Sequence, residues 1–175
     1  PSSVRSIGKS AFYECVNLEE VAFEKNSILY LIEFNSFAFC RSLEKLLIPP
    51  SVSVIDPFAF HECSSLKQMQ IPQSLIKVEF SVFKGCTSLC KIKIPQSATM
   101  IEDSAFYFCI NLKEIQIPSS VKTIGRDAFH YCRKLSKITF ANNSTLKTIG
   151  SNAFRYCLSL SKIVFPPTVV QIDEF

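Results

Sequence analysis

Seven cysteines recur at a nearly constant interval. Cys15, Cys40, Cys63, Cys86, Cys109, Cys132 and Cys157 are separated by 25, 23, 23, 23, 23 and 25 residues. A disulfide framework takes its spacing from the loops it clips and is irregular. A fixed period instead puts each cysteine at the same place in a repeated unit. The rest of the chain keeps that period. A phenylalanine stands three residues before each cysteine (Phe12, Phe37, Phe60, Phe83, Phe106, Phe129, Phe154) and a leucine three after it (Leu18, Leu43, Leu66, Leu89, Leu112, Leu135, Leu160). An apolar pair such as Ile115 and Ile117 follows, then in most units a proline (Pro49, Pro72, Pro95, Pro118, Pro166). A second pair such as Val121 and Ile124 closes the unit.

Each unit can be given a local shape. In Leu112–Ile117 the alternation of Ile115, Gln116 and Ile117 predicts a short strand with one apolar side. The proline after it has no N–H for a ladder and ends the strand. In A-F-x-x-C the apolar residues lie three apart, which predicts a short helical or 3₁₀ turn. One unit alone cannot offset the ~1–2 kcal/mol of backbone entropy per ordered residue, but stacked units cover one another's apolar sides. The expected fold is therefore a solenoid: a parallel sheet of about seven short strands on one face, with turns and short 3₁₀ or helical segments on the other. Seven strands would span roughly 29 Å. Residues 1–175 are expected to form a single array of about seven repeats of 23–25 residues. Neither end carries the polar face of a capping repeat, so the array is expected to be a piece of a longer one.

The motif A-F-x-x-C-x-x-L-x-x-I-x-I-P followed by S-V-x-x-I resembles the BspA-like (Bacteroides surface protein A type) leucine-rich repeat, and the resemblance covers the whole chain. Ordinary leucine-rich repeats place Asn or Cys after the strand. Here that position is mostly Ser51, Ser74, Ser97, Ser120 or Thr168. The two longer units carry Asn26 and Asn143 instead, whose side chains are expected to bond neighbouring backbone. The resemblance implies a leucine-rich repeat solenoid of the kind found in surface proteins of oral bacteria and of mucosal protist parasites. It further implies attachment to host cells or matrix proteins.

Composition narrows the chemistry. The chain has 175 residues, 47% hydrophobic and 19% charged, which supports a packed core and excludes a disordered tail. No apolar run reaches the roughly 18 residues of a membrane span, so direct insertion by this segment is not expected. Stacked in register, the cysteines fall within disulfide distance, but side chains pointing inward in parallel rarely meet at the required dihedral. They are expected to be free buried thiols. Cys90 lies outside the periodic set and is expected at the surface. His61 and His130 share a slot three units apart, about 14 Å, too far for a common metal ion, and are expected on exposed turns. No C-x-x-C, H-E-x-x-H, G-x-S-x-G or phosphate-loop motif occurs. Gly8, Gly125 and Gly150 repeat an I-G turn slot, a backbone role. No catalytic residue, cofactor or metal site is predicted.

What remains is the outside of the coils. Outward strand positions form two columns, one containing Gln68, Lys91, Glu114, Lys137 and Lys162, the other Gln70, Lys93, Gln116 and Thr139. The frame is fixed while these positions vary, as a modular recognition surface requires. Its lysines would steer an acidic protein or polyanionic glycan toward it; the alternative is a face that merely stays solvated. A second candidate lies on the turns, where Phe108, Tyr131 and Tyr156 precede the cysteines of adjacent units, either as a binding surface or as rings completing the core. The sheet columns carry no aromatic residue, so nucleic acid is not an expected partner. The expected function is a non-enzymatic protein-binding module at the cell surface or secreted, of the adhesin type. An intracellular scaffold or cytoskeletal repeat remains open, since unpaired thiols suit a reducing compartment.

Overall fold

The computed structural model describes residues 1–174, whose backbone winds into successive coils. Fourteen short strands follow in order: β1 (Ser6–Ile7), β2 (Glu20–Val21), β3 (Leu31–Ile32), β4 (Lys45–Leu46), β5 (Val54–Ile55), β6 (Gln68–Gln70), β7 (Lys77–Val78), β8 (Lys91–Lys93), β9 (Met100–Ile101), β10 (Glu114–Ile117), β11 (Thr123–Ile124), β12 (Lys137–Phe140), β13 (Thr148–Ile149) and β14 (Gln171–Ile172). The first six coils each contribute twice, and β13 and β14 follow singly. One parallel ladder runs β2-β4-β6-β8 and resumes as β10-β12. A second runs β1-β3-β5 and resumes as β7-β9-β11-β13-β14. Pairing is in register, with Gln68 beside Lys91, Gln70 beside Lys93 and Glu114 beside Lys137.

The predicted strand face is present, with six strands rather than seven, because Lys162–Phe165 forms none. The other side differs from expectation. It holds a second ladder, and the A-F-x-x-C segments contain no helix or 3₁₀ turn among the described residues. The reason lies in where the N–H groups go. Within one coil Tyr107 donates to Ser104 and Cys109 to Phe106, yet between them Phe106 donates to Ala128 and Phe108 to His130 of the next coil. A helix would keep every such bond within itself. Here every second N–H links neighbouring coils, so the segment behaves as a third hydrogen-bonded seam. Two residues per coil adopt left-handed φ to make it, for example Ser104 at 57° and Phe108 at 63°. At the first of these slots stand Ser10, Asn35, Ser81, Ser104, Asp127 and Asn152, small polar residues suited to that region, with Phe58 the exception.

The spine is apolar throughout. Phe12, Phe37, Phe60, Phe83, Phe106, Phe129 and Phe154 stack ring on ring, with centroids 5.1 to 5.8 Å apart and planes within 12°. The leucines from Leu43 to Leu135 are fully buried beside them. Hydroxyls tie the coils: Ser51 donates to the Ser27 carbonyl, Ser120 to that of Ala98 and Thr168 to that of Ser144. This is the position where ordinary repeats carry asparagine, and the shorter side chain reaches the carbonyl of the coil before. Each coil thus presents invariant groups inward and variable ones outward.

Candidate binding faces

The first ladder carries its variable residues in two exposed columns, because Leu46, Met69, Ile92, Ile115 and Ile138 alternate with them and are buried. Gln68, Gln70, Lys91, Lys93, Glu114, Gln116, Lys137 and Thr139 all face solvent, as the alternation predicts. A depression of about 380 Å³ lies among Lys45, Leu47, Gln68, Gln70, Lys91 and Lys93. A second of about 300 Å³ lies among Lys91, Lys93, Glu114, Gln116, Lys137 and Thr139, where the ladder breaks between β8 and β10. Lys162 is exposed beyond the last strand of this face. Ion pairs join Lys45 to Glu20 at 3.9 Å and Lys67 to Glu44 at 2.7 Å. Among the described residues, Lys91, Lys93, Lys137 and Lys162 make none, so their charge is directed outward.

On the turn side Tyr131 and Tyr156 stack at 4.6 Å and Phe108 meets Tyr131 edge-on at 5.5 Å. All three adopt left-handed φ, near 60°. Bulky side chains pay about 1–2 kcal/mol for that conformation, which Gly85 avoids at the same slot. Ring stacking offsets part of this cost. Arg133 lies over Tyr131 and Arg155 over Tyr156, at 5.4 and 5.0 Å from the ring centroids. Phe108 and Tyr156 nevertheless stay more than a third exposed. The cluster therefore both packs and presents a surface.

Several expectations change. His130 is nearly buried, its side chain 12% exposed, with Nδ1 at 2.7 Å from Asp127 Oδ1 and its ring stacked on Tyr131. His61 is half-buried against Phe39 and Phe58, and burial lowers its pKa. Ring packing, invisible at the level of one slot, draws both off the surface. Asn26 and Asn143 are exposed, with no side-chain hydrogen bond among the described residues. Their neighbours Ser27 and Ser144 instead accept from the N–H of Leu29 and Leu146. All eight cysteines are free; six are buried, and Cys15 and Cys90 are exposed.

The unexpected second ladder has an outer face of its own. There Tyr30, Val54 and Ile76 are exposed by 47%, 42% and 63%. Glu33, Asp56, Glu79 and Glu102 follow the inward Ile32, Ile55, Val78 and Ile101 of four consecutive coils. The signal was present in the sequence as an acidic residue recurring in the slot that Gly8, Gly125 and Gly150 fill elsewhere. Two-residue strands are too short to reveal by alternation that this slot borders a sheet.

The chain matches the family model of the BspA type Leucine rich repeat region, in six copies, over residues 1–98 and 53–175. No curated protein matches it in sequence. Among solved structures it is similar to a leucine-rich repeat protein of T. pallidum, with 29% identity, TM-score 0.82, and 91% of this chain covering 75% of that one. A leucine-rich cell surface protein of Faecalibacterium prausnitzii is also 29% identical, with TM-score 0.76, over 98% of this chain and 55% of that one. A leucine-rich repeat protein of Eubacterium ventriosum shares the fold at 21% identity and TM-score 0.75, over 99% of this chain and 55% of its own length. This chain thus spans little more than half of the latter two proteins.

Proposed function

The chain belongs to the BspA-type leucine-rich repeat family, and on that premise we propose that it is a non-enzymatic adhesive module whose first ladder binds a host-cell or matrix protein. The observation that carries this reading is the group of unpaired, exposed lysines Lys91, Lys93 and Lys137 around the depression at the β8–β10 break. A rigid frame holds these charges at fixed intervals, so an acidic protein surface is recognised without ordering a loop. Glu114 within the column discriminates against a uniformly anionic partner. The similar F. prausnitzii protein is named as a cell surface protein, which favours the same placement here. No helix among the described residues is long and apolar enough to cross a membrane.

Binding of the purified chain to immobilised extracellular-matrix protein, compared with the triple variant Lys91→Glu, Lys93→Glu, Lys137→Glu, tests this function. Capture that is salt-sensitive and lost in the variant supports it. Undiminished capture would remove the lysine face from the account. A second reading, an intracellular scaffold using the same face, is favoured by the eight free thiols. Localisation of the full-length protein separates the two.

A further inference from the structure

The exposed apolar side chains are not scattered evenly. Ile28, Tyr30, Phe34, Val54, Ile76 and Phe80 all lie on the second ladder's side within three consecutive coils. They form two sets. Tyr30 and Ile76 occupy one slot on one side of the outer face, with Ser53 in that slot between them, and Val54 lies one residue further on, beside Leu31. Phe34, Phe58 and Phe80 lie along the other side, interlocked edge to face at 5.5 and 5.1 Å. Between the two sets, in chain order, stands the acidic column Glu33, Asp56, Glu79 and Glu102. Its outer members have partners: Glu33 accepts from the Lys9 N–H, and Glu102 pairs with Lys77 at 3.2 Å. Asp56 and Glu79 form no ion pair among the described residues. The ladder itself is interrupted there, between β5 and β7.

Exposed apolar side chains gathered on one side of a repeat array mark an interaction surface. Its carboxylates specify the occupant. Covering both sets with a neutral or acidic segment would strip water from Asp56 and Glu79 without compensation, a cost that excludes such partners. Burial already pushes the Glu79 carboxyl above the usual carboxylate range; Glu102 and Asp56 add to the rise and Lys77 opposes it. Four carboxylates, Glu33, Asp56, Glu79 and Glu102, thus stand beside one paired side-chain ammonium, that of Lys77, among the described residues, and the centre of the face keeps a net negative charge. We propose that this face docks a basic amphipathic segment of a partner protein, with Lys or Arg side chains on Asp56 and Glu79 and apolar side chains against the sets of Tyr30–Ile76 and Phe34–Phe80. The face is separate from the lysine columns and does not depend on what they bind.

Fluorescence anisotropy of the whole chain with a labelled peptide of alternating Leu and Lys, beside its Leu–Glu counterpart, tests the proposal. The Leu–Lys peptide is expected to bind and the Leu–Glu peptide to fail. Asp56→Lys with Glu79→Lys is expected to weaken binding by about tenfold or more through like-charge contact. Should that variant fold poorly, Asp56→Asn with Glu79→Gln keeps the shape and is expected to weaken binding in the same direction, as is Ile76→Ser. Lys91→Glu with Lys93→Glu, on the other face, is expected not to weaken it. Equal binding of both peptides, or affinity indifferent to the acidic variants, would overturn the proposal. So would concentration-dependent self-association abolished by Ile76→Ser, which would assign the face to a second copy of the chain.

Discussion

The Cys109 thiol donates to the Phe83 carbonyl of the preceding coil at 3.2 Å. The same bond recurs from Cys40 to Phe12, Cys63 to Phe37, Cys86 to Phe60, Cys132 to Phe106 and Cys157 to Phe129. Cysteine thus serves as a ladder residue, apolar enough for the spine yet carrying one proton to a carbonyl that also accepts the N–H of its own coil's cysteine, as Phe83 does from Cys86. Cys109→Ala is expected to cost about 0.5–1.5 kcal/mol for the lost hydrogen bond, and more for the space the sulfur leaves in the fully buried spine. Cys109→Ser, which keeps a donor, is expected to cost less. Urea denaturation of both variants checks the order.

The same bonds require the thiols to stay protonated. Burial pushes Cys40 up to about 11 and Cys157 up to about 12, and moves Cys63, Cys109 and Cys132 well above the ordinary thiol value. The unfolded chain ionises near the ordinary value of about 8.5, so above that pH it holds fewer protons than the folded chain. Stability is therefore expected to fall as pH rises through about 8.5 to 11. Thermal melts across that range check the sign. In native protein at neutral pH, Ellman's reagent is expected to modify Cys15 and Cys90 rapidly and the six buried thiols only after unfolding.

Phe106 sits in mid-stack, fully buried between Phe83 and Phe129 at 5.4 and 5.2 Å. Phe106→Ala is expected to cost about 3–5 kcal/mol. Phe154, half-buried at the end of the described stack, is expected to cost less. Denaturant midpoints of the two variants check the difference.

A Cβ at Gly125 would lie 2.5 Å from the Asp103 backbone nitrogen, whereas one at Gly8 would meet nothing within 4 Å. Gly125→Ala is therefore expected to lower the melting temperature by several degrees, and Gly8→Ala to leave it unchanged or slightly raised. The I-G slot marks close approach of coils only where a neighbouring backbone lies beneath it.

Much of the fold was legible because the constraint repeats. The buried thiols from Cys40 to Cys157 and the exposed columns follow from residues recurring at one slot, while the ring stack and the serine bonds between coils, at slots equally regular, became visible only in the structure. The A-F-x-x-C segment misled because a spacing of three suits both a helical turn and consecutive β-turns, and only the destination of alternate N–H groups separates them. The second ladder escaped notice because strands such as Thr123–Ile124 are too short to show alternation. With it went the acidic and apolar face of Asp56, Glu79 and Ile76. His130 shows the same limit: its slot marks a turn, but its burial depends on the rings of Tyr131 and Tyr156 in two neighbouring positions.

In-register stacking of the outward columns is the claim on which both binding faces rest. Spin labels at Lys45→Cys and Lys137→Cys, in a chain with Cys15→Ser and Cys90→Ser, measure it by pulsed electron resonance. These positions lie on β4 and β12, four strand spacings apart. A single narrow separation near about 19 Å is expected. A distance well beyond four spacings, or a spread without a maximum, would contradict the stacked columns.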